Sequence, residues 1–120
     1  MTTTLKDQIT AAIGAHALWK GRLIAAIANG NSEYDPANVE PDHRCEFGKW
    51  LYTGLGAESR GGPEFTQVKD LHARFHKEAA RILRLAVGGK KEEARSLLQG
   101  DYARISTELV QKLGEWKRKG

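Results

Sequence analysis

Three long stretches of this sequence carry apolar residues at alternating steps of three and four, and this spacing constrains the fold more than any other feature. Residues spaced in this way share one face of an α-helix, so each stretch predicts a helix with one buried stripe. Histidines stand at two positions of these stripes, where apolar residues are expected. The three stripes consist of Leu5, Ile9, Ala12, His16, Trp19, Leu23 and Ile27; of Phe65, Val68, His72, Phe75, Ala79, Ile82 and Ala86; and of Ala94, Leu98, Tyr102, Ile105, Leu109, Leu113 and Trp116.

Turn-forming residues set the predicted ends of these helices. The first is expected to stop near Asn29-Gly30, and the next long helix to begin at Pro63 and to stop at Gly88-Gly89. The last is predicted from about 90 to 116, where Gly100 interrupts it and indicates a local bend.

The segment between the first two long helices contains the single cysteine of the chain. Residues 29–41 are rich in turn formers and predict a loop, and residues 53–63 predict a second, glycine-rich loop. Between them a short helix is expected from 43 to about 53, with Asp42 as its cap and Cys45 in its first turn. A thiolate is favoured there by the unpaired amides and by the helix dipole.

Each stripe can be buried only against the other helices, so the pattern predicts an all-α protein. We expect an antiparallel bundle whose fourth layer is the short helix and its flanking loops. A chain of 120 residues fits one domain, residues 1–120, and its 40% hydrophobic and 28% charged residues are typical of a water-soluble globular protein.

Charge and hydropathy exclude several classes of protein. No apolar run approaches the roughly 20 residues of a membrane span, and the N-terminus does not resemble a secretory signal, so a cytoplasmic location and no membrane partner are expected. The net charge is +4, but acidic and basic residues are interleaved and only the short C-terminal tail is a basic cluster. Nucleic acid is therefore not an expected partner.

Three imidazoles and one thiol form the candidate site: His16, Cys45, His72 and His76. His72 and His76 are four residues apart, so they share a helix face and can bind one ion together. Together the four side chains make a complete tetrahedral zinc shell. A single buried histidine is more often hydrogen-bonded to a carbonyl, and a single cysteine is more often inert packing. Their conjunction favours metal, because so many buried polar groups would otherwise each need a partner.

Other polar and aromatic residues are assigned less sharply. His43 is expected to face solvent, outside the shell. Trp19, Trp50 and Trp116 are expected to be core anchors. Asp42, Glu46 and Asp70 are all candidates to accept an imidazole hydrogen, and helical spacing does not decide among them.

Catalysis is not expected. Four protein ligands close a zinc site, whereas a catalytic zinc keeps a position for water. Residues 73–75 are Ala-Arg-Phe, without the glutamate of a His-Glu-x-x-His motif. A further alternative is a haem or di-iron bundle related to hemerythrin, but the chain lacks the several additional histidine and carboxylate ligands that a two-iron site requires.

The order of these residues resembles the signature of the chemoreceptor zinc-binding (CZB) domain family. That signature has a histidine with a large apolar residue two places on, then Cys-x-apolar-Gly-x-apolar or aromatic, then His-x-x-x-His. This chain has His16-Ala-Leu18, then Cys45-Glu-Phe47-Gly48-Lys-Trp50, then His72-x-x-x-His76.

The resemblance implies a four-helix bundle with Zn²⁺ held by His16, Cys45, His72 and His76. It also implies a bacterial signalling role, because family members sit in chemoreceptors or beside diguanylate cyclases. Some are implicated in sensing zinc and others in sensing hypochlorous acid through the zinc-bound cysteine, and many are dimers. We therefore expect a homodimeric, stand-alone member that acts on a chemotaxis or cyclic-di-GMP signalling protein in trans. The alternative is a purely structural zinc in a helical protein-interaction module.

Overall fold

The computed structural model describes residues 5–43, 45–54 and 62–119, and every regular element in these ranges is helical. Three long helical segments dominate: α1 (Leu5–Asn29), α4 (Pro63–Val87), and a third that combines α5 (Lys91–Leu97), a π-helical turn (Leu98–Tyr102) and α6 (Ala103–Lys119). Between α1 and α4, the described residues form two one-turn helices. They are α2 (Pro36–Val39) and α3 (Glu46–Lys49), and α3 continues into a π-helical turn (Trp50–Gly54).

Contacts at the helix ends give the directions of the long segments. Lys91 at the start of α5 donates a hydrogen bond to the carbonyl of Ala28 at the end of α1, with an N···O distance of 3.3 Å. Lys119 at the end of α6 forms an ion pair with Glu64 at the start of α4. Helices α1 and α4 therefore run in the same direction, and the third long segment runs opposite to both.

The segment that contains α2 and α3 is the fourth layer, and it returns along the bundle antiparallel to α4. Its early residue Val39 contacts His76, at 2.8 Å between carbonyl oxygen and Nδ1. Its later residue Trp50 lies beside Trp116 near the other end, with ring centroids 5.9 Å apart. The predicted all-α bundle, with a short helix at the cysteine, is confirmed.

The predicted ends of the long helices agree with the structure. Gly30 and Gly89 follow α1 and α4 with φ of +72° and +81°, values that glycine adopts without steric cost. Pro63 occupies the first turn of α4, and Gly100 lies in the π-helical turn that interrupts the third long segment. The π geometry accommodates this interruption while the chain stays helical.

Two local predictions between the long helices are wrong. Residues 29–41 are not only a loop, because Asp35 caps α2 by accepting a hydrogen bond of 2.9 Å from the Ala37 amide. The short helix does not begin at 43 with Asp42 as its cap. It begins at Glu46, and Cys45 itself is the cap residue. Most of the glycine-rich loop predicted at 53–63 lies outside the described residues.

The interior of the bundle is formed by the predicted stripes. Apart from Leu5, Trp19 and Phe65, which are partly buried, every stripe residue is buried, His16 and His72 included. Phe75 lies at the centre, only 1% exposed, with its ring in contact with those of His16 and Tyr102. No helix within the described ranges is long and apolar enough to cross a bilayer.

Tyr102 has a buried hydroxyl group. The residue is 2% exposed, and its hydroxyl has no hydrogen-bond partner among the described residues. We expect Tyr102→Phe to raise the free energy of unfolding by about 1 kcal/mol, because it removes an unpaired buried polar group and leaves the ring in place. Urea denaturation of the two proteins measures the difference, and a loss of stability in the variant would contradict the prediction.

Candidate metal centre

Three histidines from two long helices meet in the middle of the bundle. His16 comes from α1, and His72 and His76 come from successive turns of one face of α4. They are 5%, 0% and 4% exposed, and three such buried histidines in one cluster are unusual, because histidine is on average only partly buried. The His72 and His76 rings are 4.5 Å apart between centroids, and the His16 and His72 rings 4.9 Å.

Cys45 approaches this group from the fourth layer. As the cap of α3 it has an extended backbone, and its Sγ accepts a hydrogen bond of 3.3 Å from the Gly48 amide. Gly48 lies directly against the backbone of Asp42, where a Cβ atom would overlap the Asp42 carbonyl oxygen. This close approach folds the segment so that the thiol points at the histidines.

The four donor atoms are spaced as a tetrahedral zinc site requires. The Sγ of Cys45 lies 3.4 Å from the Nε2 of His72 and 3.5 Å from the Nε2 of His76. The Nε2 of His72 lies 3.1 Å from those of His16 and His76, and all four atoms are within 4.8 Å of one another. Tetrahedral zinc bonds of about 2.05 Å to nitrogen and about 2.3 Å to sulfur separate two nitrogens by about 3.3 Å and nitrogen from sulfur by about 3.6 Å.

The protons of the imidazoles also fit a cation. Nδ1 of His16 donates a hydrogen bond to the carbonyl of Ala12 at 2.7 Å, and Nδ1 of His76 donates to the carbonyl of Val39 at 2.8 Å. In the neutral rings the Nε2 atoms therefore carry lone pairs, and these face the centre. His72 has one proton and can satisfy at most one of these lone pairs, so the donor set fits a metal ion.

Burial keeps the three histidines in the form that binds metal. Desolvation, opposed by the Ala12 carbonyl, lowers the pKa of His16 to about 4. Desolvation, aided by the neighbouring imidazoles, lowers the pKa of His72 to about 2, and desolvation also lowers the pKa of His76. Burial raises the pKa of the Cys45 thiol, despite the Gly48 amide. A bound cation would oppose this effect on the thiol, because it stabilises the thiolate.

Two phenylalanine rings, those of Phe47 and Phe75, pack against the imidazoles of the cluster. Phe47 of α3 lies 5.2 Å from the ring of His72 and stacks on Trp50 at 5.7 Å between centroids. Trp116 is buried, and Trp19 and Trp50 pack partly buried against the core, as expected for anchors. The rings of Phe47 and Phe75 therefore contribute to the burial of the imidazoles.

Of the remaining candidates only Asp42 reaches the cluster. Its Oδ2 lies 4.0 Å from Nδ1 of His72. Asp70 instead pairs with Arg74 at the surface at 3.2 Å, and Glu46 is exposed. His43 is also exposed, as predicted.

Two groups that contact the site residues were not identified from the sequence. The Val39 carbonyl orients His76, and the Asp35-Pro36 pair, a cap residue before a first-turn proline, is the signal that could have placed Val39 on a helix. The Tyr52 hydroxyl donates a hydrogen bond of 2.8 Å to Oδ2 of Asp42. No local sequence pattern indicates that contact.

Comparison with family models matches residues 16–83 to the chemoreceptor zinc-binding domain. The match covers more than half of the chain and includes all four side chains of the cluster. Comparisons with curated proteins and with solved structures found no match.

We expect the purified protein to contain about one zinc ion per chain, because the cluster provides one complete tetrahedral shell. Cys45→Ser and His72→Ala should lose the metal or bind it much more weakly, whereas His43→Ala, at an exposed position outside the cluster, should keep it. Elemental analysis after dialysis measures the stoichiometry. In the cobalt-substituted protein, Cys45→Ser should also remove the thiolate-to-cobalt charge-transfer band. Equal zinc content in all four proteins would contradict the assignment.

Gly48→Ala should lower zinc affinity roughly tenfold or more, because the new methyl group forces the Asp42 backbone away and displaces Cys45. Gly21→Ala is the matched control. It lies in α1 with no atom within 4 Å of the added Cβ, and it should stabilise the helix by about 1 kcal/mol without changing zinc affinity. Competition with a chromophoric chelator gives both affinities. Equal affinities would show that the close approach does not position the thiol.

Proposed function

This chain belongs to the chemoreceptor zinc-binding domain family, and from that premise we propose that it is a regulatory module rather than an enzyme. In this proposal one Zn²⁺ is bound by His16, Cys45, His72 and His76, and the signal acts by breaking the bond between the ion and Cys45. The signal is zinc availability or an oxidant of the hypochlorous acid type. The observation that carries the proposal is the unequal anchoring of the four ligands.

The histidines and the cysteine are carried by elements of very different length. All three imidazoles come from long helices and are at most 5% exposed. Cys45 is partly exposed and caps a helix of a single turn. A ligand on so short an element is released at lower cost than one on a helix of 25 residues.

Cys45 is also the most exposed member of the cluster, since the three histidines are buried. It borders two surface clefts, one of about 410 Å³ between α1 and α3 and one of about 330 Å³ beside α2. His16 also lines the first cleft and His76 the second, so Cys45 is the ligand that borders both. The first cleft is lined mainly by apolar and small side chains, among them Ala12, Leu18 and Phe47. A small neutral oxidant or a chelator can approach the sulfur through either cleft.

Zinc, when bound, keeps the thiol as a thiolate, which is the form that oxidants attack. Hypochlorous acid then oxidises the sulfur: thiolate and HOCl give the sulfenic acid and chloride, so sulfur loses two electrons and chlorine gains them. A sulfenic acid is a poorer metal ligand than a thiolate and a poorer acceptor for the Gly48 amide. Oxidation therefore weakens both bonds that hold Cys45.

The segment proposed to be released is residues 43–51, with the sequence HRCEFGKWL. Its Phe47 and Trp50 are stacked on each other, and Trp50 also contacts Trp116 near the end of α6. Movement of this segment would change the packing at that end of the bundle. Zinc withdrawal would release the same segment without any oxidation.

A chemotaxis or cyclic-di-GMP signalling protein in trans is the proposed partner, with a homodimer of this chain as the acting form. Both proposals come from family membership. The four protein ligands would leave no coordination position for a reacting water, which is why a regulatory role is proposed.

The second candidate is a purely structural zinc in a helical protein-interaction module. It is favoured by the carbonyl hydrogen bonds that fix His16 and His76, because such anchoring is typical of a rigid, closed site. A structural zinc should resist exchange and oxidation, and its removal should unfold the whole bundle. A sensor should respond locally.

Hydrogen exchange separates the two candidates. For a sensor, amide protection in residues 43–53 should fall roughly tenfold or more when zinc is removed and again when the zinc-loaded protein is treated with hypochlorite, while the amides of α4 stay protected. Hypochlorite should cause no further change in Cys45→Ser, which controls for oxidation elsewhere. Unchanged protection of residues 43–53 in all three states would contradict the sensor. Loss of protection along the whole chain on zinc removal, with no change after hypochlorite, would favour the structural zinc.

A further inference from the structure

One ring nitrogen of the cluster is left without a hydrogen-bond partner. Nδ1 of His72 is buried and has none among the described residues, whereas Nδ1 of His16 and Nδ1 of His76 each meet a carbonyl. His72 is also the most buried of the three, at 0% exposed. Its Nε2 lies within 3.4 Å of the donor atoms of all three other ligands.

Metal ligation through Nε2 requires the single proton of the neutral ring to be on Nδ1. The resulting buried N–H needs an acceptor, because an unpaired one opposes the ligating tautomer. Among the described residues the only carboxylate within 4.0 Å is that of Asp42, whose Oδ2 is at that distance. A hydrogen bond needs about 2.9 Å, so a side-chain movement of roughly 1 Å would form it.

Contacts with Tyr52 and Gly48 hold Asp42 close enough to His72 for this side-chain movement. The Tyr52 hydroxyl donates to its Oδ2 at 2.8 Å and keeps the carboxylate on the side of His72. Its backbone lies against Gly48, in the same segment as Cys45. Its side chain is 17% exposed, so its electric field at His72 is only partly screened by water.

We propose that Asp42 is a positioning residue for the metal centre: its carboxylate, held by Tyr52, accepts the Nδ1 hydrogen of His72 and fixes the tautomer in which Nε2 binds the ion. The inference rests on the proposed ligand set but not on sensing, so it applies equally to a structural zinc. Asp42 thereby supports two ligands at once, since its side chain serves His72 and its backbone serves the segment of Cys45.

Zinc competition with a chromophoric chelator tests the proposal on the full chain. Asp42→Ala should weaken zinc affinity about 10- to 100-fold at an unchanged stoichiometry of one. Asp42→Asn, which keeps an acceptor oxygen but no charge, should lose less, and Tyr52→Phe should lose least. Asp70→Ala is the matched control: it removes a carboxylate two residues before His72 that is paired with Arg74 at the surface, and it should leave the affinity unchanged.

The tautomer provides a readout that a general loss of stability would not give. Long-range ¹H–¹⁵N correlation spectra of the zinc-loaded protein should show a slowly exchanging Nδ1 proton on His72, and this proton should exchange faster in Asp42→Asn. If Asp42→Ala does not fold, the Asp42→Asn and Tyr52→Phe spectra decide.

Two results would overturn the inference. One is an affinity of the Asp42 variants within twofold of that of Asp70→Ala, and the other is an Nδ1 proton on His72 that exchanges equally fast in wild type and Asp42→Asn. A wild-type chain that binds no zinc would instead refute the ligand set itself, so the two failures are distinguishable.

Discussion

The structure depends on one constraint: lone pairs of three imidazoles and a thiol converge in the interior of a small helical bundle. Burying such groups is costly unless each lone pair finds a donor or a cation, and the ring protons of His16 and His76 are already engaged by carbonyls. A single ion satisfies all four side chains at once. The packing of the helices brings the four donor atoms within 4.8 Å of one another.

The four side chains differ in how they are held, and the proposed regulatory role rests on this difference. Three come from helices of 25 residues, whereas Cys45 comes from the cap of a one-turn helix. Long helices distribute strain over many hydrogen bonds, but a single turn depends on its cap and on a few neighbours. The same site can therefore be stable on the histidine side and labile on the cysteine side.

Asp42 connects these two sides. Its backbone lies against Gly48, and its carboxylate accepts a hydrogen bond from Tyr52 and lies 4.0 Å from Nδ1 of His72, the nitrogen that the proposed hydrogen bond would satisfy. A single residue thus couples the geometry of the short helix to the tautomer of the most buried histidine. In a regulatory domain such coupling would link release of the cysteine to the protonation geometry of the remaining ligands.

The sequence alone predicts the all-α fold, the buried faces of the three long helices, and the candidate set His16, Cys45, His72 and His76. The fold and the histidine positions follow from local periodicity, because residues three and four apart share a helix face whatever the rest of the chain does. Cys45 joins the set as the single thiol of the chain and not through periodicity. Only the tertiary structure decided that Cys45 caps its helix, that Val39 lies on a short helix against His76, and that Asp42 rather than Glu46 or Asp70 approaches the cluster. The physical reason is that these contacts join residues across a chain reversal, where the irregular path of the backbone, and not a repeating spacing, sets which groups meet.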